Sequence, residues 1–249
     1  MSTNGILYFA AIMWSICKKE LRQFFSSLTG FIAIIVFLLV NGLVLFVFKN
    51  NILEYGYATL EPFFSFAPWV LIFLAAAITM RSFADEYKSG TYELLRTKPL
   101  TGWQIVTGKF GGSLIVALIA LLPTLVYYFT VNALASTTGI DSGAAAGSYL
   151  GLVLLTAVFI SIGICVSSFT SNAVVAFIIS LIACVLFYYG FTAISQLFSG
   201  GADYYLELMG IDYHYQSISR GVIDTRDLVY FLSLIFFFLL VTRQNLQKR

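Results

Sequence analysis

Six segments of this chain are built to cross a lipid bilayer. They are Leu28–Phe48, Phe63–Met80, Phe110–Val131, Tyr149–Phe169, Ala173–Phe191 and Leu228–Thr242, and none contains Asp, Glu, Lys, Arg or His. A helix rises about 1.5 Å per residue through a hydrocarbon core about 30 Å thick, so each crossing needs about 20 mostly apolar residues. The sixth segment has only 15, which predicts that its helix begins before Asp227 in hydrated or protein-lined surroundings, or that it sits in thinned bilayer. Of the 249 residues 59% are hydrophobic and 10% charged, where soluble domains are about a quarter charged, so a soluble enzyme and a disordered tail are both excluded. A net charge of +2 is too small to argue for a nucleic-acid partner. The expected fold is an all-α integral membrane protein, one membrane domain over residues 1–249.

Pro62 suits the first turn of the second span, where a missing N–H costs nothing, whereas Pro68 and Pro123 lie within spans and predict kinks. Gly108 with Gly112, and Gly147 with Gly151, have the four-residue spacing of small residues that lets helix backbones approach, most simply for routine packing. Ahead of the first span, Ile6–Cys17 is apolar and then meets Lys18, Lys19, Glu20 and Arg22. It lacks the basic leader and cleavage site of a signal peptide and is too short to cross, so residues 1–27 read as an interfacial helix against membrane lipid. Cys17, Cys165 and Cys184 are too few for a disulfide framework and read as packing residues.

Lysine and arginine set the orientation, because positive residues are retained on the cytoplasmic side. With both termini inside, 11 of the 14 fall in cytoplasmic segments and only Lys49, Arg220 and Arg226 outside. The absence of ionisable groups from the spans argues against proton-relay pumps and ion-coupled transporters. The scattered Asn41, Thr79, Thr130 and Ser161 do not make the polar helix face of a passive channel. No catalytic or metal site is expected: the single histidine, His214, falls in an outer loop, and Gly102–Lys109 lacks both the spacing and the Ser or Thr of a phosphate loop. Any uphill movement would draw its energy from another polypeptide.

The inner loop, residues 81–109, carries the densest charge. Gly90 permits a sharp reversal, Thr91 can cap a following helix, Glu93 favours that helix's positive end, and Pro99 stops it. The result is a helix of about two turns held off the membrane, its Leu94 and Leu95 forming an apolar patch suited to a partner's groove. The competing reading is a hydrated turn whose charges merely enforce topology, with Glu86 in a weak surface bridge to Lys88 or a nearby arginine. On the other side, residues 193–227 exceed an ordinary connection and are rich in apolar and aromatic residues, which predicts one or two short helices partly re-entering the membrane, broken at Gly200-Gly201 and Gly210. Tyr213, His214, Arg220 and Asp224 are its candidate lid residues. Arg220 and Asp224 have the spacing of one helical turn and could pair.

The run Glu86-Tyr-Lys-Ser-Gly90-Thr91-Tyr-Glu93-Leu94-Leu95, with Pro99 and Gly108-Lys109 beyond it, resembles the signature between the second and third spans of ABC-2 type permeases. Lys19-Glu20-Leu21-Arg22-Gln-Phe24-Phe25 is similar to that family's amphipathic lead-in helix, and Ser167–Asn172, including Ser171 and Asn172, to its tight inner turn. The outer segment His214–Gln216-Ser217, with Ser219–Asp224 and Asp227, resembles the gliding-motility-associated permeases of Bacteroidota, the GldF type. The resemblance implies a six-helix permease in the bacterial cytoplasmic (inner) membrane, with Thr91–Lys98 as a coupling helix driven by a cytoplasmic ATPase. Implied partners are a GldA-like ATPase, which would bind the ATP and Mg²⁺, and a second permease, an identical copy or a GldG-like auxiliary subunit. The alternative is a membrane scaffold that carries no solute and passes ATPase motion to a motility or secretion apparatus.

Overall fold

The computed structural model describes residues 3–48, 59–97, 100–135, 140–198, 201–221 and 224–248. Among them helices are the only regular secondary structure, and six are long and apolar enough to span a membrane. The first helix, α1 (Thr3–Phe25), precedes the first span, α2 (Leu28–Phe46). The second span is α3 (Glu61–Thr79), followed by the short α4 (Ala84–Lys88) and α5 (Thr91–Arg96). The third is α6 (Gly102–Leu121) continued by α7 (Leu125–Leu134). The fourth is α8 (Ser142–Ser167), and the fifth is α9 (Ala173–Val185), extended through a π turn into α10 (Phe191–Ser195). Two short helices, α11 (Ala202–Glu207) and α12 (Ile211–Ser219), lead to the sixth span, α13 (Thr225–Lys248).

The helix starts follow from local chemistry. A helix leaves its first N–H groups without intrahelical acceptors, and side-chain oxygens supply them. Ser27 accepts from Gly30 N, Asp141 from Gly143 N and Ala144 N, and Asn172 from Val174 N. Thr101 and Gln104 form a reciprocal capping box that starts α6 at Gly102. The third span therefore begins well before Phe110, and Lys109 lies inside a helix rather than at the end of a loop. Asp141 likewise moves the start of the fourth span back from Tyr149 to Ser142. Asp224 accepts from Arg226 N and starts α13 just ahead of Asp227.

Of the two internal prolines, Pro123 interrupts its helix with a 3₁₀ turn at Leu122–Thr124, while α3 runs unbroken through Pro68. The π turn at Leu186–Gly190 had no signal in the hydropathy pattern.

Helix α8 is the central pillar, packed against α3, α6, α9, α12 and α13 and buried from Leu155 to Cys165 without interruption. A helix that is apolar all round is one that is surrounded. By contrast α2, α9 and α13 turn rows of large side chains outward, among them Phe31, Ile35 and Leu39, Ile178 and Ile182, and Leu232 and Phe236. In a multi-pass membrane protein such exposed apolar rows are suited to lipid or to a neighbouring membrane subunit, where apolar side chains carry no penalty for leaving the core.

Both glycine pairs lie at close helix contacts. Gly108 and Gly112 of α6 receive α1: a Cβ on Gly112 would lie 2.8 Å from Glu20 Cβ and 3.1 Å from the Cys17 carbonyl oxygen. Gly147 and Gly151 of α8 receive the Ile218 carbonyl and the Tyr215 ring of α12. The small residues thus seat two amphipathic helices rather than two spans.

Candidate functional site: the charged loop between the second and third spans

The site begins where α3 ends. The chain turns at Arg81–Phe83 and starts α4, leaving backbone donors at Phe83 and Ala84 that no helix satisfies. The Ser167 hydroxyl, at the end of α8, accepts from Phe83 N at 3.1 Å and Ala84 N at 3.3 Å, and donates to the Met80 carbonyl at 3.2 Å. One buried hydroxyl therefore holds the loop's first turn to the central pillar. Gly90 then reverses the chain at φ +70°, a left-handed conformation that costs an L side chain about 1–2 kcal/mol. Gly90 occupies the cap position of α5 and Thr91 is its first residue. This corrects the expectation that Thr91 caps: its hydroxyl instead meets Ser89 Oγ at 2.9 Å.

Beneath the turn lies a cluster of four ionised side chains from three helices. Lys109 of α6 is 1% exposed, yet all three ammonium hydrogens have acceptors: Glu20 Oε1 at 2.8 Å, the Ser82 carbonyl at 2.5 Å and Glu86 Oε1 at 3.0 Å. Its Nζ also lies 4.7 Å from the centre of the Phe83 ring, a distance at which a cation is attracted to the ring face. Lys19 of α1, half exposed, reaches Glu86 Oε1 at 2.5 Å. Two cations and two carboxylates balance. Such balance is what makes burial tolerable, since removing one member of a buried pair typically costs about 3–5 kcal/mol. The close approach at Gly112 is what brings Glu20 within reach of Lys109.

The structure separates the predicted coupling residues into two groups. Glu86 is buried and faces inward toward Lys109 and Lys19, not outward to Lys88. Gly90, Thr91 and Glu93 are exposed. The backbone of Leu94 and Leu95 continues α5, which ends at Arg96 and so is shorter than two turns. Pro99 lies outside the described residues. Between the two groups, Tyr92 is buried and its hydroxyl donates to the Leu246 carbonyl at the end of α13.

At the second turn on this side, Ser171 is exposed and Asn172 caps α9. The same turn is joined to α13 by Asn245, which donates to the Ser168 carbonyl at 2.7 Å. The loop thus communicates with α1, α6, α8 and α13 through named bonds. Lys19, Glu20, Lys109 and Ser167 lie in runs that carry the family resemblance but were given no site role from sequence, and Asn245 was not singled out at all. A further signal was that Lys109 directly abuts an apolar run of full spanning length.

At the far end of the bundle, His214 is buried and bridges two segments. Its Nδ1 lies 2.7 Å from Asp227 Oδ1, its Nε2 3.0 Å from the Leu208 carbonyl, and its ring stacks on Tyr230 at 3.9 Å. Tyr213 packs edge-on against it at 5.5 Å. Arg220 and Asp224 form no ion pair with each other. Gly221, at φ +84°, ends α12 between them, so the helical spacing that would align them is lost. Among the described residues no three His, Cys, Asp or Glu side chains gather as a metal site.

Residues 14–242 match the family model for ABC-2 family transporter proteins. The chain belongs to the ABC-2 transporter family. No curated protein matches it. Membership makes this chain a membrane permease component of an ABC transporter, and the family implies an ATPase partner. In this ABC-2 chain the matched region takes in the whole ionic cluster, the loop, the first five spans and the sixth as far as Thr242.

Proposed function

We propose that this permease converts ATP hydrolysis by a cytoplasmic partner into substrate movement, with α4 and α5 as the element that receives the push. The loop and both termini face the cytoplasm, following the 11-to-3 distribution of basic residues. The observation that carries the reading is the divided character of the loop. Thr91 and Glu93 are exposed for a partner, while Glu86 one turn earlier is locked to α1 and α6 by buried charge. A force on α5 therefore cannot be absorbed locally: it moves α4, and with it Lys109, Glu20 and the two helices that carry them. The resemblance to gliding-motility permeases supports a GldF-type assembly in a bacterial inner membrane, with a GldA-like ATPase and a GldG-like subunit or second permease copy.

The test is site-directed labelling. Cys17, Cys165 and Cys184 are all buried, so a Glu93→Cys variant carries one accessible thiol. In intact cells it should resist a membrane-impermeant maleimide, react in inverted vesicles, and crosslink to the ATPase when the complex is assembled. Labelling from outside intact cells, or ATPase copurification without any crosslink from position 93, would overturn the assignment.

A further inference from the structure

At the end of the bundle opposite the charged loop, a cavity of about 820 Å³ opens between the starts of α3 and α8, the π turn after α9, and α12. Sites for small organic molecules run from about 300 to 1,000 Å³. Its walls are fixed. Tyr215 of α12 donates to the Phe64 carbonyl of α3 at 2.8 Å, and Ser148 of α8 donates to the Ser219 carbonyl at 2.9 Å, so α12 is fastened on both sides of the opening. The π turn places Tyr188 and Tyr189 side by side against Trp69, with ring centres 5.5 and 5.7 Å from the tryptophan. Extra-wide turns of this kind recur at functional sites in helices. Trp69 and Tyr189 stay 40% and 38% exposed despite that packing, which leaves ring surface for a ligand.

The charges of the lining decide the ligand class. Glu61, Asp141 and Asp212 line the cavity together with one cation, Arg220, and none of the four takes part in an ion pair among the described residues, although Asp141 also caps α8 and Asp212 accepts a hydrogen bond from Gln216. An excess of carboxylates rejects anions. An inorganic cation would need ligands that converge, and among the described residues no three acidic or imidazole groups do so. Carboxylates beside aromatic faces suit a cation that is bulky and weakly hydrated, held by ring quadrupoles as well as by charge.

We propose that this cavity binds an organic ammonium group. The site is distinct from the coupling loop, and it does not depend on which side of the membrane the loop occupies. The ammonium could belong to a free organic cation or to the headgroup of an aminolipid reaching in from the bilayer.

Calorimetric titration of the full chain in maltoside detergent with benzyltrimethylammonium tests the proposal, with phenylmethanesulfonate as an anion of similar shape. Saturable binding of the cation and none of the anion is expected. Glu61→Gln and Trp69→Leu should each weaken binding, by roughly 2- to 30-fold for the tryptophan on the range of cation–π strengths. Arg220→Gln should strengthen it several-fold, an opposite sign that damaged folding would not produce. Absence of saturable cation binding, equal binding of the sulfonate, or an Arg220→Gln variant that binds no better would each overturn the proposal.

Nanodiscs distinguish the sources. Phosphatidylethanolamine is compared with a neutral glycolipid at the same fraction of phosphatidylglycerol. Weaker apparent probe affinity with the aminolipid identifies its headgroup as the competitor, and equal affinity identifies a free cation. Both results support an ammonium site.

Discussion

Replacing Lys109 with methionine keeps most of the length and the apolar stem of the side chain and deletes its charge and the hydrogen bond to the Ser82 carbonyl. Glu20, buried and 2.8 Å from Lys109 Nζ, then loses the only cation it pairs with among the described residues, whereas Glu86 keeps Lys19 at 2.5 Å. An uncompensated buried charge costs about 3–5 kcal/mol. Because one of the two carboxylates remains paired, the lower end, about 3 kcal/mol, is the appropriate figure. For chains of 150–250 residues each kcal/mol moves the melting temperature by about 2–4 °C, so Lys109→Met should melt roughly 6–12 °C lower in detergent.

Adding Glu20→Gln to that variant removes the stranded charge and should recover most of the loss. A general packing defect would make the double variant worse, not better.

The local readout is Cys17, which is 4% exposed and whose carbonyl oxygen lies 3.1 Å from the space above Gly112. Burial and the neighbouring Glu20 carboxylate push its thiol above the ordinary range, so the native protein should label slowly. Once α1 lifts from α6, labelling at Cys17, identified by peptide mass, should rise at least tenfold. A melting temperature within about 2 °C of the parent, with unchanged Cys17 labelling, would refute the view that the ionic cluster holds α1 in place.

Three further perturbations test the same architecture. Gly112→Ala drives a methyl group into Glu20 and the Cys17 backbone and should cost about 1–3 kcal/mol; Gly111→Ala, with nothing within 4 Å, should be neutral or stabilising by up to about 1 kcal/mol when both are melted side by side. Ser167→Ala leaves the Phe83 and Ala84 N–H groups without their acceptor, costing about 1–3 kcal/mol, and should appear as faster amide exchange confined to residues 83–88. Asp227→Leu removes the partner of His214 Nδ1 and should accelerate proteolysis within α12 while leaving Cys17 labelling unchanged, because His214 bonds to Asp227 and Leu208 and not to α1.

How far the fold is readable before the structure is known depends on whether the relevant physics is local. Hydropathy is local: each span must satisfy its own backbone and present apolar side chains to lipid, so the six crossings are visible as uninterrupted runs. Turn chemistry is local too, and Gly90 stands out because a reversal between two short helices favours the residue without a Cβ. Helix starts were displaced where capping residues lay several positions outside the apolar run, as Thr101 and Asp141 do.

Pairing is not local. Lys19 meets Glu86 across 67 positions and Lys109 meets Glu20 across 89, so no spacing rule could turn Glu86 inward or reveal that Lys109 is buried. Where a spacing rule was applied, to Arg220 and Asp224, a single glycine at positive φ broke the helix on which it relied.

The amino-acid order alone therefore settles that the chain lives in a membrane, how often it crosses, and that the apolar runs carry no ionisable groups, because those properties are sums over neighbouring residues; that Lys109 and Asp227 join the helices at the ends of those runs does not follow from it. Only the packed bundle decides which charges neutralise one another, which helix becomes the buried pillar, and where a cavity remains. Those outcomes depend on how closely distant backbones approach, and that distance is set by the small residues at each crossing.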